Sequence, residues 1–487
     1  MKTNTISIIL VLLSLVGYSQ VQIGNDIDGD AIYDSMGWDV AMSGDGQTVV
    51  VGAPGNSDGA YAAGQVKVFQ FNGTDWIQLG NDILGTADED GLGRSVDITS
   101  DGLTVVVGTQ YSDVGSFNSG SARVFEFNGT NWVQKGNTVA GVNVNDEFST
   151  SISISNDGNR IAVGAPYTDT TEFDNGVLRI FDYDGSQWNL VFEHFGDNEN
   201  DVFGMSLDMS GDGNHVICGA WINIDGTTRE GYAKIFSFEN STWSQTGQTI
   251  SGEVPGNFFG ASSSISDDGS IVAIGSWGND ENGTDSGEVK VFQLIGNTWQ
   301  TFGNEIQGSD SFERFGWAID LSSSGTVLAV GAPQENNTRF FKFDNGNWIM
   351  VGNAIAGEAI NDDFGFSVDL SSDGTKVVIG DPYRDVNGNN SGFVQVYDIT
   401  NVLSVEEFES EIFSVFPNPT KSTLTIQSKV ATSYIKIVDI NGRLLNTIDN
   451  LNLSQEVTLE VDYLSNGIYF LNIQSDNSEQ VIRFIKN

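Results

Sequence analysis

The chain alternates short apolar runs with glycine, asparagine and aspartate, a pattern typical of strands joined by tight turns. In "FGFSVDLSSDGTKVVIGDP" (Phe364 to Pro382), two strand-like runs flank the pair Asp373-Gly374. Such a pair readily adopts the positive φ angles that a two-residue hairpin turn requires. The next run, "GFVQVYDI" (Gly392 to Ile399), alternates with a period of two residues. The pattern therefore predicts antiparallel strands and no long amphipathic helix.

The same pattern returns seven times, at spacings of 56, 56, 55, 56, 56 and 49 residues. The glycine that ends each "VVVGAP"-like run marks the repeat: Gly52, Gly108, Gly164, Gly219, Gly275, Gly331 and Gly380. Six tryptophans follow the same spacing: Trp76, Trp132, Trp188, Trp243, Trp299 and Trp348. Each repeat predicts four short strands, A to D. A four-stranded sheet cannot bury both faces alone, so residues 20–402 predict an all-β, seven-bladed β-propeller.

The seventh repeat lacks the tryptophan-bearing strand D. The N-terminal stretch "VQIGNDIDG" (Val21 to Gly29) resembles that strand, because Gly24 and Gly29 lie 56 residues before Gly80 and Gly85. We therefore predict that residues 20–29 form the outer strand of the last blade. Such a strand would close the ring and remove an open sheet edge.

Two motifs recur in order within these repeats. "FG" stands at Phe203, Phe259, Phe315 and Phe364, and "GAP" begins at Gly52, Gly164 and Gly331. Residues 20–402 thus resemble the FG-GAP repeats of integrin α-subunit propellers and their bacterial relatives. The resemblance implies a "DxDxDG" calcium loop between strands A and B, but here the loops read "SGDG", "TSDG", "SNDG", "SDDG" or "SSSG". One acid cannot supply the six or more oxygens that calcium prefers, so we interpret these loops as turns.

The last 75 residues follow a different pattern. Strand and turn signals predict a small Ig-like β-sandwich over residues 413–487, after an acidic linker at 403–412. "FPNP" (Phe416 to Pro419), "DxxGR" from Asp439, "LxxGxY" from Leu464 and Lys486 occur in order. The tail resembles the C-terminal sorting domain of type IX secretion cargo in Bacteroidota. That resemblance implies handling by the type IX secretion machinery and removal of the tail, with the product released or attached to the cell surface.

The composition limits the classes of partner and the cellular location that the sequence predicts. Residues 1–19 have the apolar run and small residues of a signal peptide, and the run is too short to span a bilayer. No other apolar stretch approaches transmembrane length. A formal net charge of −44 excludes nucleic acid and anionic lipid as partners. Cys218 is the single cysteine, so no intramolecular disulfide can form.

An acidic column is the candidate site. Two residues before each "FG" position, or its equivalent, the repeats carry Asp34, Asp90, Asp146, Asp201, Asn257, Glu313 and Asp362. These side chains could accept backbone N–H groups in a turn, or six of them could ligate a cation such as calcium. The turn role is the favoured interpretation, because Asn257 suits a turn but weakens a metal site. A second acidic set, Asp113, Asp169, Asp280 and Asp385, lies in the loops between strands B and C and carries the same two alternatives.

Further columns favour packing over chemistry. Strand C carries Lys67, Arg123, Arg179, Lys234, Lys290, Arg339 and Gln395 at one position, which predicts buried stems with paired heads. With two histidines and no nucleophile motif, we expect no enzyme. The function predicted is binding or adhesion toward an extracellular glycan or protein. The alternatives are a carbohydrate-active enzyme that uses loop carboxylates, favoured by acids convergent in one deep pocket, and a structural surface-layer protein.

Overall fold

The computed structural model describes residues 20–169, 172–222, 229–358, 362–403, 413–428, 432–439, 443–453, 456–475 and 479–487. The predicted signal peptide, and the predicted linker beyond residue 403, lie outside these residues. The chain divides into two compact units, residues 1–403 and 404–487. No helix within the described ranges combines the length and the apolar character that crossing a bilayer requires.

Seven antiparallel sheets make up the described part of the first unit. Sheet 1 consists of β3 Val40–Met42, β4 Thr48–Ala53, β5 Gln65–Phe71, β6 Trp76–Gln78 and β7 Ile83–Leu84. Sheet 2 consists of β8 Leu92–Ile98, β9 Thr104–Thr109, β10 Ser121–Phe127, β11 Trp132–Gln134 and β12 Val139–Ala140. Sheet 3 consists of β13 Ser151–Ile154, β14 Arg160–Ala165, β15 Val177–Tyr183 and β16 Trp188–Phe195. Sheet 4 consists of β17 Ser206–Met209, β18 His215–Ala220, β19 Tyr232–Glu239, β20 Thr242–Gln245 and β21 Ile250–Ser251. Sheet 5 consists of β22 Ser262–Ile265, β23 Ile271–Ser276, β24 Glu288–Ile295, β25 Thr298–Thr301 and β26 Ile306–Gln307. Sheet 6 consists of β27 Ile319–Leu321, β28 Val327–Ala332, β29 Asn337–Asp344 and β30 Asn347–Ala356. Sheet 7 consists of β31 Ser367–Leu370, β32 Lys376–Asp381 and β33 Phe393–Asp398, together with the N-terminal strands β1 Val21–Gln22 and β2 Ile27–Asp28.

Two short helical segments complete the unit. A 3-10 turn, Pro333–Glu335, replaces the longer loop in the shortened sixth repeat. The α-helix α1, Thr400–Leu403, follows the last strand and buries Val402 and Leu403.

The hairpins between the first two strands of each sheet are closed by side chains. In sheet 7, the Asp373 carboxylate accepts the backbone N–H of Thr375 (2.9 Å), and Gly374 adopts φ of +68°. Burial raises the pKa of Asp373, but hydrogen bonds from Thr375 and Ser371 outweigh burial and leave this pKa below its ordinary value. The lone acid of this loop is therefore used inside its own turn.

Neighbouring sheets are joined by tryptophan side chains. The Trp132 indole N–H donates to the Leu79 carbonyl of the preceding sheet (2.7 Å), and Trp299 donates to Thr246 in the same way (2.9 Å). The innermost strands also contact one another in chain order, and β31 of sheet 7 contacts β3 of sheet 1. The seven sheets therefore follow one another in a closed circuit.

Residues 20–29 complete sheet 7. β1 pairs with β33 in the register Val21 to Asp398, and β2 pairs Ile27 with Val394. Ile27 is 4% exposed, and the Trp76 indole N–H donates to the Ile23 carbonyl (2.8 Å). The N-terminal segment thus bridges sheet 7 and sheet 1.

The described part of the second unit contains two sheets. One holds β34 Phe413–Phe416, β35 Thr423–Ser428 and β38 Glu456–Glu460, and the other holds β36 Thr432–Asp439, β37 Leu444–Leu453, β39 Gly467–Ser475 and β40 Glu479–Lys486. Leu464, Tyr469 and Phe484 are buried in its apolar core, and the Tyr469 and Phe484 rings stack at 5.6 Å. The Asp439 carboxylate accepts the Arg443 backbone N–H (3.0 Å). The sequence motifs of the tail therefore occupy core and turn positions.

Candidate binding site

The acidic column caps turns. The Asp34 carboxylate accepts the Ala31 N–H (2.8 Å), Asp146 accepts that of Asn143 (2.8 Å), and Asp201 accepts that of Asn198 (2.9 Å). Glu313 accepts the N–H groups of Ser309 (2.6 Å) and Asp310 (3.1 Å). A hydrogen bond from Ala87 likewise acts on Asp90, although burial leaves its pKa raised. The shared geometry is an acceptor for backbone N–H groups three or four residues earlier.

Three of these acids also pair with guanidinium groups. Asp201 pairs with Arg229, Glu313 with Arg339, and Asp362 with Arg384. A calcium ion would compete with the guanidinium for the same carboxylate oxygens. At these three positions the surroundings fit a turn with a paired acid and do not fit a calcium site.

The turns hold the next residue in the left-handed region. Val202 has φ of +48°, Phe258 of +56° and Arg314 of +54°. A non-glycine residue pays about 1–2 kcal/mol for this conformation, which the surrounding hydrogen bonds must offset. Phe258 and Arg314 both contact rings of the aromatic cluster described below. Arg314 follows Glu313, which caps its turn and thus helps to position the Arg314 side chain.

The second acidic set closes loops. Asp113, Asp169, Asp280 and Asp385 each accept the backbone N–H of the residue five positions later, at 2.7–2.8 Å. This repeated contact spans the loop between the second and third strands of four sheets. It gives these acids a structural role.

The basic column is buried and paired. Lys67 pairs with Asp30, Arg179 with Glu193 (2.7 Å) and Lys234 with Asp197 (2.6 Å). Lys290 lies 2.9 Å from Glu305 and 3.2 Å from Glu253. The three carboxylates Glu281, Glu288 and Glu305 could surround a metal by distance alone, but the Lys290 ammonium already lies 2.9 Å from Glu305 and 3.7 Å from Glu288. The column therefore serves packing and charge pairing.

An axial cavity of about 620 Å³ lies where the innermost strands meet. One end of the cavity is lined by residues that open the first strand or follow the second strand of each sheet. The aromatic side chains at this end form what we call the aromatic arc: Trp38, Trp221, Phe258, Trp277, Trp317, Phe366 and Tyr383. All are half-buried. The arc offers flat apolar surfaces at the mouth of the cavity.

The rings of the arc contact one another from sheet to sheet. Trp277 lies 6.2 Å from Trp221 and 5.6 Å from Trp317, measured between ring centroids. Phe366 then bridges Trp317 (5.6 Å) and Trp38 (5.0 Å). Sheets 4, 5, 6, 7 and 1 contribute to this run of contacting rings, and Tyr111 and Tyr167 from sheets 2 and 3 line the same cavity. Aromatic side chains from all seven sheets therefore line the cavity.

Two arginines cover the rings. The Arg94 guanidinium carbon lies 4.1 Å from the Trp38 ring centroid, and that of Arg314 lies 5.0 Å from Trp277. These are cation–π distances. A cation of the chain itself therefore lies over the arc at each of these two points.

Carboxylates form the floor of the cavity. We call Asp39, Asp97, Asp208, Asp320 and Asp369 the axial carboxylates. Each accepts a backbone N–H from the next sheet in chain order, with sheet 1 following sheet 7, at 2.6–2.9 Å. The donors are Val96 to Asp39, Ile154 to Asp97, Ile265 to Asp208, Leu370 to Asp320 and Met42 to Asp369. These contacts join the innermost strands. Beyond the floor lies a smaller space of about 100 Å³.

The axial carboxylates ionise reluctantly. Burial raises the pKa of Asp39, Asp97 and Asp320 to about 7 and that of Asp208 to about 6. Burial and the adjacent Asp320 raise the pKa of Asp369 as well. Each acid is enclosed by protein yet keeps part of its surface on the cavity, so water in the cavity can exchange protons with it. Near neutral pH the floor therefore holds a mixture of neutral and ionised carboxyl groups.

Three polar atoms at the cavity lack partners among the described residues. They are the Gln110 amide oxygen and the indole N–H groups of Trp221 and Trp277. Gln110 is 4% exposed, and its amide nitrogen donates to Glu147 (2.6 Å), which leaves the oxygen as the unsatisfied acceptor. Unpaired buried polar atoms cost free energy and are uncommon unless something satisfies them.

The sequence predictions missed this site. Six of the ten tryptophans form the packing column, and the other four all line the cavity: Trp38, Trp221, Trp277 and Trp317. Each follows a motif glycine directly or by one residue, in "MGW", "GAW", "GSW" and "FGW". That departure from the repeat was the available signal. Four axial carboxylates also had a signal, because Asp97, Asp208, Asp320 and Asp369 each lie 11 residues before the motif glycine of their repeat.

Comparisons with known proteins match a segment in each of the two units. Residues 356–397 match the FG-GAP repeat, and residues 414–487 match the secretion system C-terminal sorting domain. The chain carries an FG-GAP repeat and a type IX sorting domain. The sorting domain indicates export to the cell surface or the medium and implies handling by the type IX secretion machinery. No curated protein matches the chain in sequence.

Several solved structures resemble the chain in fold while sharing little of its sequence. Hydrazine synthase of Kuenenia stuttgartiensis is 11% identical with a TM-score of 0.50, covering 73% of this chain and 94% of that chain. The periplasmic gluconolactonase PpgL of Pseudomonas aeruginosa is 15% identical with a TM-score of 0.46, covering 81% and 94%. The WD40 repeats of RRP9 are 11% identical with a TM-score of 0.47, covering 78% and 99%. The fold is all-β, with propeller-like neighbours.

Proposed function

We propose that the protein is an exported binding module, a seven-bladed propeller that captures an extracellular glycan or protein at the mouth of its axial cavity. The observation that carries this proposal is the convergence of Trp38, Trp221, Trp277 and Trp317, from four different sheets, on one mouth. Aromatic faces beside polar groups in a concave site are the usual composition of a ligand site. Here residues 20–29 close the ring, residues 20–402 form the propeller, and residues 413–487 form an Ig-like sandwich that serves export.

The loops around the mouth support a binding role. Large apolar side chains between 39% and 68% exposed project from loops at this end: Ile32, Tyr33, Tyr61, Val114, Phe117, Val142, Val144, Phe173, Val254, Phe312 and Val386. Exposed apolar side chains on these loops favour an interaction surface. Binding is the proposal most consistent with this face, with calcium a separate hypothesis confined to the acidic column.

A carbohydrate-active enzyme is the second candidate. One observation favours it: the axial carboxylates converge in a deep cavity, and several have a pKa near 7, as general acids and bases do. Against it, Asp97, Asp208, Asp320 and Asp369 occupy one repeated strand position and accept backbone N–H groups between strands. A structural role explains a repeated position better than catalysis does.

The test is binding of the full chain to a glycan array and to a panel of extracellular proteins. We expect a ligand whose binding is lost in Trp38→Ala and Trp317→Ala. The matched control is Ile77→Ala, because Ile77 is 52% exposed but lies on an outer strand away from the mouth. Circular dichroism should show that all three variants are folded.

Two results would overturn the proposal. One is a ligand retained by both folded tryptophan variants, which would place binding elsewhere. The other is the release of cleaved sugar from a bound oligosaccharide, abolished by Asp208→Asn, which would favour the enzyme.

A further inference from the structure

We propose that the axial cavity binds a saccharide that carries an unacetylated, protonated amino group. This inference deepens the proposed function, on which it rests, by naming the class of ligand. It assigns the ammonium to the floor of the cavity and the sugar rings to the aromatic arc.

The cavity is lined by more acidic than basic groups. The described residues that line it include the five axial carboxylates and Glu147, and among them Arg94 alone is cationic. The Arg94 guanidinium lies over Trp38 at the mouth and not among the carboxylates of the floor. A cationic group at the floor would pair with carboxylates that have no basic partner there. An ammonium supplies that charge with three hydrogen-bond donors.

The aromatic arc fits the remainder of such a ligand. Trp317 and Phe366 are adjacent, with ring centroids 5.6 Å apart, whereas the Arg94 guanidinium already lies over the Trp38 ring. Sugar rings present flat C–H faces that pack on aromatic rings, and a nearby ammonium gains cation–π energy from the same rings. A cavity of about 620 Å³ lies within the range of small-ligand sites.

Binding of this ligand should release protons. An ammonium favours ionised carboxylates, so it lowers the pKa of neighbouring acids and displaces the protons that they hold near pH 7. The groups involved are the axial carboxylates, with Glu147, Arg94, Tyr111 and Tyr167 as the other titratable groups that line the cavity. Affinity should therefore rise as the pH rises through 6 to 7, while the amine stays protonated.

The experiment is calorimetric titration of the full chain with two matched ligands, a glucosamine tetramer and an N-acetylglucosamine tetramer. We expect the amine form to bind at least about tenfold more tightly, the size of one charge-assisted hydrogen bond. Asp208→Asn and Asp320→Asn should each remove that preference while retaining an oxygen for the backbone N–H donor. Glu126→Gln is the control, because Glu126 is exposed on an outer part of sheet 2 and its loss changes the net charge equally. Titration of the unaltered chain in two buffers of different ionisation enthalpy measures the released protons and does not depend on the variants folding.

The outcomes are distinct. If the acetylated tetramer binds equally well and binding requires Trp38, the amine inference is wrong and the proposed function stands. If Glu126→Gln weakens binding as much as Asp208→Asn does, or if no proton is released, the attraction is non-specific and the inference fails. If spermidine binds as tightly as the glucosamine tetramer, the saccharide assignment fails. If neither tetramer binds, the inference fails, and the glycan array decides the proposed function separately.

Discussion

Substitution of Ile27 should destabilise the first unit although the residue lies only a few positions from the N-terminal end of the described chain. Ile27 is 4% exposed and packs with Met36, Val40, Val394 and Trp76, which belong to or flank sheets 7 and 1. Truncating a buried isoleucine to alanine costs about 2–5 kcal/mol, because the lost contacts leave a cavity. The matched control is Val21→Ala in the same segment. Val21 is 50% exposed, so its truncation should cost less than about 0.5 kcal/mol.

The expected shift in melting temperature follows from the size of the unit. An unfolding entropy of about 2.1 cal/mol/K per residue over about 380 residues gives about 0.8 kcal/mol/K. Ile27→Ala should therefore lower the melting temperature by about 3–6 °C. All ten tryptophans precede residue 349, so intrinsic tryptophan fluorescence reports the first unit alone.

A truncated chain provides the stronger test. A chain that begins at residue 30 loses the Ile27 contact, the partner of the Trp76 indole N–H and the pairing of β33 with β1 and β2. Relative to a chain that begins at residue 20, this truncated chain should show a larger fall in melting temperature than the Ile27→Ala variant does. Equal melting temperatures for the chains beginning at 20 and 30 would refute closure of sheet 7 by the N-terminal segment.

Three further predictions concern single side chains. Because burial raises the pKa of Asp97 from 3.8 to about 7, the folded state holds a proton that the unfolded state has lost between pH 4 and 7, and this stability contribution falls as the pH rises through that window. The melting temperature of Asp97→Asn, relative to that of the unaltered chain, should therefore be higher at pH 8 than at pH 4.5, by an amount equivalent to at most about 4 kcal/mol. A difference between the two chains that does not change with pH would contradict the assignment. Asp146→Ala should cost about 1–3 kcal/mol through the unpaired N–H groups of Val142 and Asn143, and equally with calcium or with a chelator; a chelator effect confined to the unaltered chain would instead favour a calcium site. In urea unfolding, Trp299→Phe should lower the free energy of unfolding by about 1 kcal/mol more than Trp243→Phe does. The reason is that the Trp299 indole N–H has a carbonyl partner, whereas that of Trp243 has none among the described residues. Equal losses for the two variants would show that the indole hydrogen bond does not contribute to stability.

Much of the fold follows from local sequence patterns. A hairpin at Asp373-Gly374 depends on residues within a few positions of the turn, and those residues were sufficient to predict it. The regular spacing of the glycines and tryptophans likewise predicted repeated four-stranded units. The 56-residue offset between Gly24 and Gly80 predicted where the N-terminal segment would lie, since equivalent positions in repeats occupy equivalent places in their sheets.

The sequence identified the acidic column but left its role open. Whether Asp146 or Asp201 ligates a cation or caps a turn depends on the positions of backbone N–H groups and arginines around it. The N–H of Asn198 comes from the local chain, but Arg229, which pairs with Asp201, lies 28 positions away. Only the tertiary structure brings such a partner to the carboxylate.

The sequence by itself determined the repeat, its hairpins and the sorting domain, because short-range patterns and spacing encode those features. The axial site was decided by tertiary structure alone. Trp38 and Trp317 occupy one repeat position, and Trp221 and Trp277 occupy another. The four are separated by up to 279 residues, and they meet only because the sheets form a closed circuit. The same closure buries the axial carboxylates and raises their pKa values, since it removes water that each isolated strand would leave in place.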